Sequence, residues 1–149
     1  MNRNDDYALS EYNRHVAASR HLRDLSQRSK IANFLQPKIM VSLHVNWSKK
    51  PDVRGPLLIY QNQSESILFA KILQRTLNEL YGTTEEPRLG QKYYLLKYAK
   101  CPTVIVEMGF ISNTVDRKLL TDSRHQKKIT DAVARAIEQY FKMIQPTIS

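Results

Sequence analysis

The sequence predicts an α/β domain in which a mostly parallel sheet is flanked by helices. Three observations lead to this fold class. Short apolar runs at 39–45 and 103–107 are typical of buried strands. Helical segments alternate with them, and the last, from about Ser123 to Ile144, has an apolar stripe at helical spacing. The 149 residues are 42% hydrophobic and 25% charged, which fits one globular domain over residues 1–149.

The first part of the chain predicts a helix followed by a strand. Between Tyr7 and Leu35, apolar residues recur at three- and four-residue spacing, which indicates a helix. Asp24 or Ser26 could cap a second helix if this segment breaks. Pro37 ends the helix, and the β-rich run from Ile39 to Val45 predicts a short buried strand.

The middle of the chain predicts two strands around a helix. After a polar loop, Pro56 to Tyr60 is expected to be a strand. Ser64 is expected to cap a helix that runs through Tyr81 and stops at Gly82. A polar loop and a short strand at 93–96 are expected next.

The last third holds the clearest strand. Thr103–Glu107 is a continuous β-branched run, typical of a strand in the centre of a sheet. Asn113 is expected to cap a short helix through Leu120, before the final helix.

Composition and charge exclude several classes of protein. No apolar stretch approaches the roughly 20 residues of a membrane span, and the first residues lack the apolar core of a signal peptide. A net charge of +9 favours anionic partners, but the basic residues are scattered, so nucleic acid is not expected. A single cysteine, Cys101, excludes an internal disulfide and a multi-thiolate metal site, and we expect it to be a small, half-buried residue.

Two residues at predicted strand ends could carry chemistry. His44 and Glu107 each follow an apolar run, and the carboxyl ends of parallel strands meet at one edge of a sheet. Neutral imidazole is a good zinc ligand, and a buried carboxylate can move a proton. His44 could instead bond a loop backbone, and Glu107 could pair with a buried cation such as Arg117. The other histidines, His15, His21 and His125, are expected to be solvated on polar helix faces.

The segments around these two residues resemble one family. Val-Ser-Leu-His-Val-Asn at 41–46 is similar to the "SIHxN" strand end of zinc-dependent N-acetylmuramoyl-L-alanine amidases of type 3. Val-Glu-Met-Gly-Phe-Ile-Ser-Asn at 106–113, followed by Asp116 and Leu119-Leu120, resembles that family's "VExGFxSN…D…L" signature.

Two further segments extend the resemblance toward the N-terminus. Arg28 to Asn33 matches the family's "R…IAN" helix, and Arg3 with Asp5-Asp6 resembles its "TRxxD" segment. The matches keep the family's order and approximate spacing, and among its members the chain looks most like those that act on spore cortex.

The resemblance implies cleavage of the amide between N-acetylmuramic acid and L-alanine in peptidoglycan. In the family, two histidines and a glutamate hold a zinc ion, and a further glutamate acts as base and then acid. By motif, His44 is a Zn²⁺ ligand and Glu107 the catalytic glutamate, while Asn46 and Gly109 would shape the strand ends. The implied location is the extracellular cell wall.

The family's opening "DPGHGG" strand and the following ligand glutamate have no counterpart here. We therefore expect an amidase fold that lacks its first two strands and first helix, with the other two zinc ligands in the missing N-terminal segment. An exposed sheet edge would follow, and with it a homo-oligomer or a complementing fragment.

Two other hypotheses stay open. The chain could be a catalytically inactive module that still binds peptidoglycan or a partner amidase, or it could be a non-expressed remnant.

Overall fold

A computed structural model describes the backbone of residues 3–145 and the side chains of residues 18–145. Helices and short strands alternate along the chain, as the sequence predicts. The elements are α1 (Arg3–Leu35), β1 (Met40–Asn46), β2 (Leu57–Tyr60), α2 (Ser64–Tyr81), β3 (Arg88–Leu89), α3 (Tyr94–Tyr98), β4 (Thr103–Phe110), α4 (Thr114–Thr121) and α5 (Ser123–Ile144).

The described strands form one four-stranded sheet in the order β1-β4-β2-β3. β1 pairs with β4 and β2 with β3 in parallel, whereas β2 and β4 are antiparallel. The α/β prediction is therefore confirmed, with one antiparallel pairing that it did not include. Its cause is the connection 47–56, which contains no crossover helix. β2 therefore begins near the carboxyl end of β1 and runs back in the opposite direction.

One face of the sheet packs on α2 and α5 and forms the main core. Because side chains alternate along a strand, Val104 and Val106 of β4 and Leu58 of β2 reach this face together. Helix residues complete the core: Phe69, Ala70, Ile72, Leu73, Leu77, Tyr81, Ile129, Ala132, Val133, Ala136 and Tyr140.

The opposite face packs on α1 and α3 in a smaller core of Leu57, Ile59, Leu96 and Ile105. The Asn33 side chain joins α1 to the segment before β4, donating to the Tyr98 carbonyl at 2.9 Å and accepting from the Lys100 amide at 2.8 Å. This is a structural role for the asparagine of the 28–33 motif.

The segment at 93–96 is not the strand that the sequence predicts. It belongs to α3, where the Lys97 amide bonds the Tyr93 carbonyl and the Ala99 amide bonds the Leu95 carbonyl. A strand would point Leu95 and Leu96 to opposite faces, whereas one helical turn buries both.

The helix boundaries are otherwise close to expectation. α1 is unbroken at Asp24 and Ser26. Asn113 caps α4 as predicted, accepting from the Val115 and Asp116 amides. Ser64 is the first residue of α2 and not its cap, since the N-cap position is Gln63, whose side chain makes no capping bond.

β1 lies at the end of the sheet, and the side chains of Leu43 and Val45 are 54% and 47% exposed. Among the described helices, none is both long enough and apolar enough to cross a bilayer.

Candidate active site

His44 and Glu107 lie side by side on neighbouring strands. They are direct partners in the parallel register of β1 and β4, so both side chains leave the sheet on the face that carries Ile105. Both line a cavity of about 150 Å³. Its other lining residues are His21, Leu25, Tyr93, Tyr94, Leu95 and Ile105. The structure thus brings the two residues together, while their chemical roles stay predictions.

His44 is half-buried, and its ring is oriented by its own strand. The Nε2 atom lies 2.8 Å from Oγ of Ser42, two residues earlier on the same face of β1. Burial lowers the pKa of His44, and the positive charges of Arg28 and His21 lower it further. The neutral imidazole, which is the form that binds metals, is therefore favoured near pH 7. A hydrogen bond from His44 to a loop backbone, the alternative interpretation of its sequence position, is not among the described contacts.

Glu107 sits in an apolar setting in the middle of the sheet. The residue is 8% exposed, between His44 on β1 and Leu57 on β2, its partners in register. Burial raises the pKa of its carboxyl. Among the described residues it has no ion pair, and Arg117 instead donates to the Ile111 carbonyl at 3.1 Å. The carboxylate is thus a stronger base than an exposed glutamate.

Residues 18–145 do not contain a complete metal site. No group of three or more His, Cys, Asp or Glu side chains in this part of the chain could hold a metal ion. Zinc normally takes three or four protein ligands, so His44 alone is insufficient. The His44 ring is nevertheless oriented in a way that suits one metal ligand. A metal-bound histidine commonly bonds a second group through its other nitrogen, and one nitrogen of His44 contacts Ser42.

The remaining sequence candidates have mixed outcomes. His125 is buried at 8% exposure, so the prediction that it is solvated was wrong: its helix face packs on Tyr81, with ring centroids 5.2 Å apart. His21 is exposed as expected, yet it lines the cavity. The side chain of His15 lies outside the described residues. Cys101 is buried, with Sγ 3.8 Å from Oγ1 of Thr103.

Ser42, whose hydroxyl lies 2.8 Å from Nε2 of His44, is a residue of the site that the sequence reasoning missed. The signal was available, because alternation along a strand places residues 42 and 44 on one face. Asn46 and Gly109 do lie at the strand ends: Asn46 Oδ1 accepts from the Trp47 amide, and Gly109 has a φ of 143°.

The sequence and the fold correspond to a known family. The sequence pattern of N-acetylmuramoyl-L-alanine amidases matches residues 1–139. The germination-specific N-acetylmuramoyl-L-alanine amidase of Bacillus subtilis is 27% identical over 143 residues, which are 95% of this chain and 60% of that protein. The chain therefore spans less than two thirds of that relative's length.

Solved structures of amidases are also similar to this chain in sequence and in fold. The CwlD amidase of Clostridioides difficile, in complex with the GerS lipoprotein, is 28% identical with a TM-score of 0.80, covering 85% of this chain and 66% of that one. The catalytic domain of CwlV, an N-acetylmuramoyl-L-alanine amidase from Bacillus (Paenibacillus) polymyxa var. colistinus, is 28% identical with a TM-score of 0.73. It covers 79% of this chain and 65% of that one.

Proposed function

Because this chain belongs to the N-acetylmuramoyl-L-alanine amidase family, we propose that it hydrolyses the amide between N-acetylmuramic acid and L-alanine in peptidoglycan. The observation that supports this most directly is the register of His44 with Glu107, two groups of complementary chemistry in one cavity.

Glu107 is the proton carrier in this proposal. Amide hydrolysis needs a base that takes a proton from water and an acid that gives one to the leaving amine. A carboxyl whose pKa is raised by burial can do both in turn near neutral pH. The apolar wall of Ile105 and Leu95 would keep bulk water from the carboxyl.

His44 is one ligand of a zinc ion in this proposal, with Ser42 holding its ring. Bound zinc would supply a Lewis acid for the amide carbonyl and lower the pKa of water. The remaining ligands would come from outside residues 18–145, since that part of the chain offers no complete set. A complementing fragment or a partner chain could provide them.

Peptidoglycan carries carboxylates, and wall polymers carry phosphates, so a +9 chain is suited to the bacterial wall. We propose the cell wall or spore cortex as its place of action. The cortex is the narrower proposal, and the germination-specific name of the Bacillus subtilis relative supports it.

The test is to measure zinc content and release of stem peptides from purified sacculi together. With a fragment or partner chain present that supplies the remaining zinc ligands, we expect release by the wild-type chain, and a loss of about 100-fold or more in Glu107→Gln with zinc content unchanged. His44→Ala should lose both zinc and release. Glu85→Gln, at an exposed surface glutamate, is the matched control and should behave as wild type.

The pH profile adds a second readout. Because burial raises the pKa of Glu107 and the base must be ionised, the acid limb of kcat/KM should lie above pH 4.5. Full activity of Glu107→Gln would contradict the proposal.

The second candidate is a catalytically inactive module that binds peptidoglycan. The incomplete donor set of residues 18–145 favours it. In the same assay it predicts that the chain pellets with sacculi, carries no zinc and releases no stem peptide.

A further inference from the structure

The backbone directly after Glu107 leaves the regular ladder. His44 pairs with Glu107, but the next pair is Asn46 with Phe110, so β4 has one more residue than β1 in this interval. Gly109 supplies the required conformation, with a φ of 143°. Such a bulge at the base of a functional side chain needs support, because the extra residue has no ladder partner.

Buried side chains from two helices support this bulge. The Phe110 amide donates to Oδ2 of Asp116, in the first turn of α4, at 2.9 Å. The Met108 carbonyl accepts from the hydroxyl of Tyr81, the last residue of α2. Both backbone groups that flank Gly109 are thus held by side chains of other elements.

Asp116 also holds the neighbouring strand. The same Oδ2 atom accepts from the Gly55 amide at 2.7 Å, and Gly55 precedes Leu57, the antiparallel partner of Glu107. One carboxylate oxygen therefore joins the strands on which Glu107 and Leu57 lie. The side chain is fully buried, and Arg54 Nε lies 3.8 Å from its other oxygen.

The approach of Asp116 to the bulge is close. A Cβ on Gly109 would lie 3.1 Å from Oδ2, so a side chain at residue 109 would push the carboxylate away. Asn113 fixes Asp116 from the other side by accepting its amide at 3.1 Å.

We propose that Asp116 and Tyr81 are positioning residues that hold the Glu107 carboxyl in its cavity by fixing the bulge beneath it. The inference rests on the proposed function only in that Glu107 is taken as the proton carrier. Neither residue lines the cavity, so each would act through the backbone of β4.

The test compares Asp116→Asn and Tyr81→Phe with the control Asp122→Asn. Asn keeps the shape of Asp116 but removes its charge, and Phe removes only the hydroxyl of Tyr81. Asp122 is also an aspartate near α4, but it caps α5 and is not bonded to β4. All variants are first checked for folding by circular dichroism and urea denaturation.

The first readout needs no activity. The ¹³C signal of the Glu107 carboxyl, assigned by its absence in Glu107→Gln, is recorded at one fixed pH. We expect it to move or broaden in Asp116→Asn and Tyr81→Phe, and to stay in place in Asp122→Asn. An unchanged signal in whichever of the two variants remains folded would overturn the proposal.

The second readout is kinetic and uses a soluble muramoyl peptide. We expect kcat to fall about 10- to 100-fold in Asp116→Asn with KM within about twofold, as for a misplaced group that acts in the transition state. A loss of kcat that only follows the unfolded fraction would overturn the inference. If the wild-type chain hydrolyses nothing even with a fragment or partner chain that supplies the remaining zinc ligands, the proposed function fails and the carboxyl signal alone decides on the positioning role.

Discussion

The imidazole of His125 is buried, and the described residues do not satisfy all of its hydrogen-bonding atoms. It contacts Tyr81 edge-on, and its Nε2 has no hydrogen-bond partner among the described residues. Burial, and after it the charge of Lys128, lowers the pKa of His125, while Asp122 and Asp116 act in the opposite direction with smaller effect. The neutral ring is therefore the form that the fold accommodates.

This predicts a loss of stability on acidification. The folded pKa of His125 lies below the unfolded value of 6.5, so its contribution is present above pH 6.5 and is lost as the pH falls through the folded pKa. His44 acts in the same direction. Glu107 acts oppositely, since a raised pKa contributes stability that is lost as the pH rises.

Urea denaturation at pH 7.5 and 5.5 checks this. The wild-type chain should lose free energy of unfolding at pH 5.5, and His125→Phe should lose less, because its ring does not titrate. An equal loss in both proteins would show that His125 is not the source.

At the scale of residues, the sequence predicts the positions of some functional side chains but not the packing contacts of others. The positions of His44 and Glu107 toward the carboxyl ends of their strands follow from strand patterns that can be recognised in one segment of chain. The predicted end of the strand at Glu107 was wrong, since β4 continues to Phe110. The burial of His125 and the bonds of Asp116 could not be predicted, since they depend on packing between elements far apart in sequence. Asp116 was visible only as part of a motif.

At the scale of elements, the long patterns were predictive. α5 and the core strand β4 were recognised because their apolar residues repeat with a clear period. α3 and β3 were missed because five and two residues are too short to show a period, so tertiary packing decides their conformation. The antiparallel direction of β2 depends on the loop before it, which the strand pattern does not describe.

The helix caps give a prediction at this scale. Asn113 accepts two amides of α4 and also donates to the Pro51 carbonyl at 2.7 Å. Asn113→Ala should therefore lower the free energy of unfolding by about 1–2 kcal/mol. Ser64→Ala is the control, since Ser64 lies inside the first turn of α2, and should change it by less than about 0.5 kcal/mol. Equal effects in urea denaturation would contradict this assignment of the caps.

At the scale of the whole molecule, net charge is the property most relevant to the proposed substrate. A charge of +9 attracts an anionic wall over about a Debye length, which falls from about 10 Å at 0.1 M salt to about 3 Å at 1 M. This attraction is independent of whether the chain cleaves what it binds.

We therefore expect the fraction that pellets with sacculi to fall strongly between 0.1 M and 1 M NaCl. Sucrose at matched osmolarity is the control and should leave pelleting unchanged. Equal pelleting at both salt concentrations would mean that contacts other than charge hold the chain on the wall.

The position of β1 makes the two halves of the site unequal in rigidity. Glu107 is on β4, which has a strand on either side, whereas β1 has a neighbour on one side only among the described strands. Outer strands open more readily than inner ones, so in native-state hydrogen exchange the His44 amide should exchange before that of Glu107. A molecule that pairs with β1 on the side away from β4 would restrict the motion of the His44 imidazole. Binding at this sheet edge would therefore change the reactivity of the site that contains His44 and Glu107.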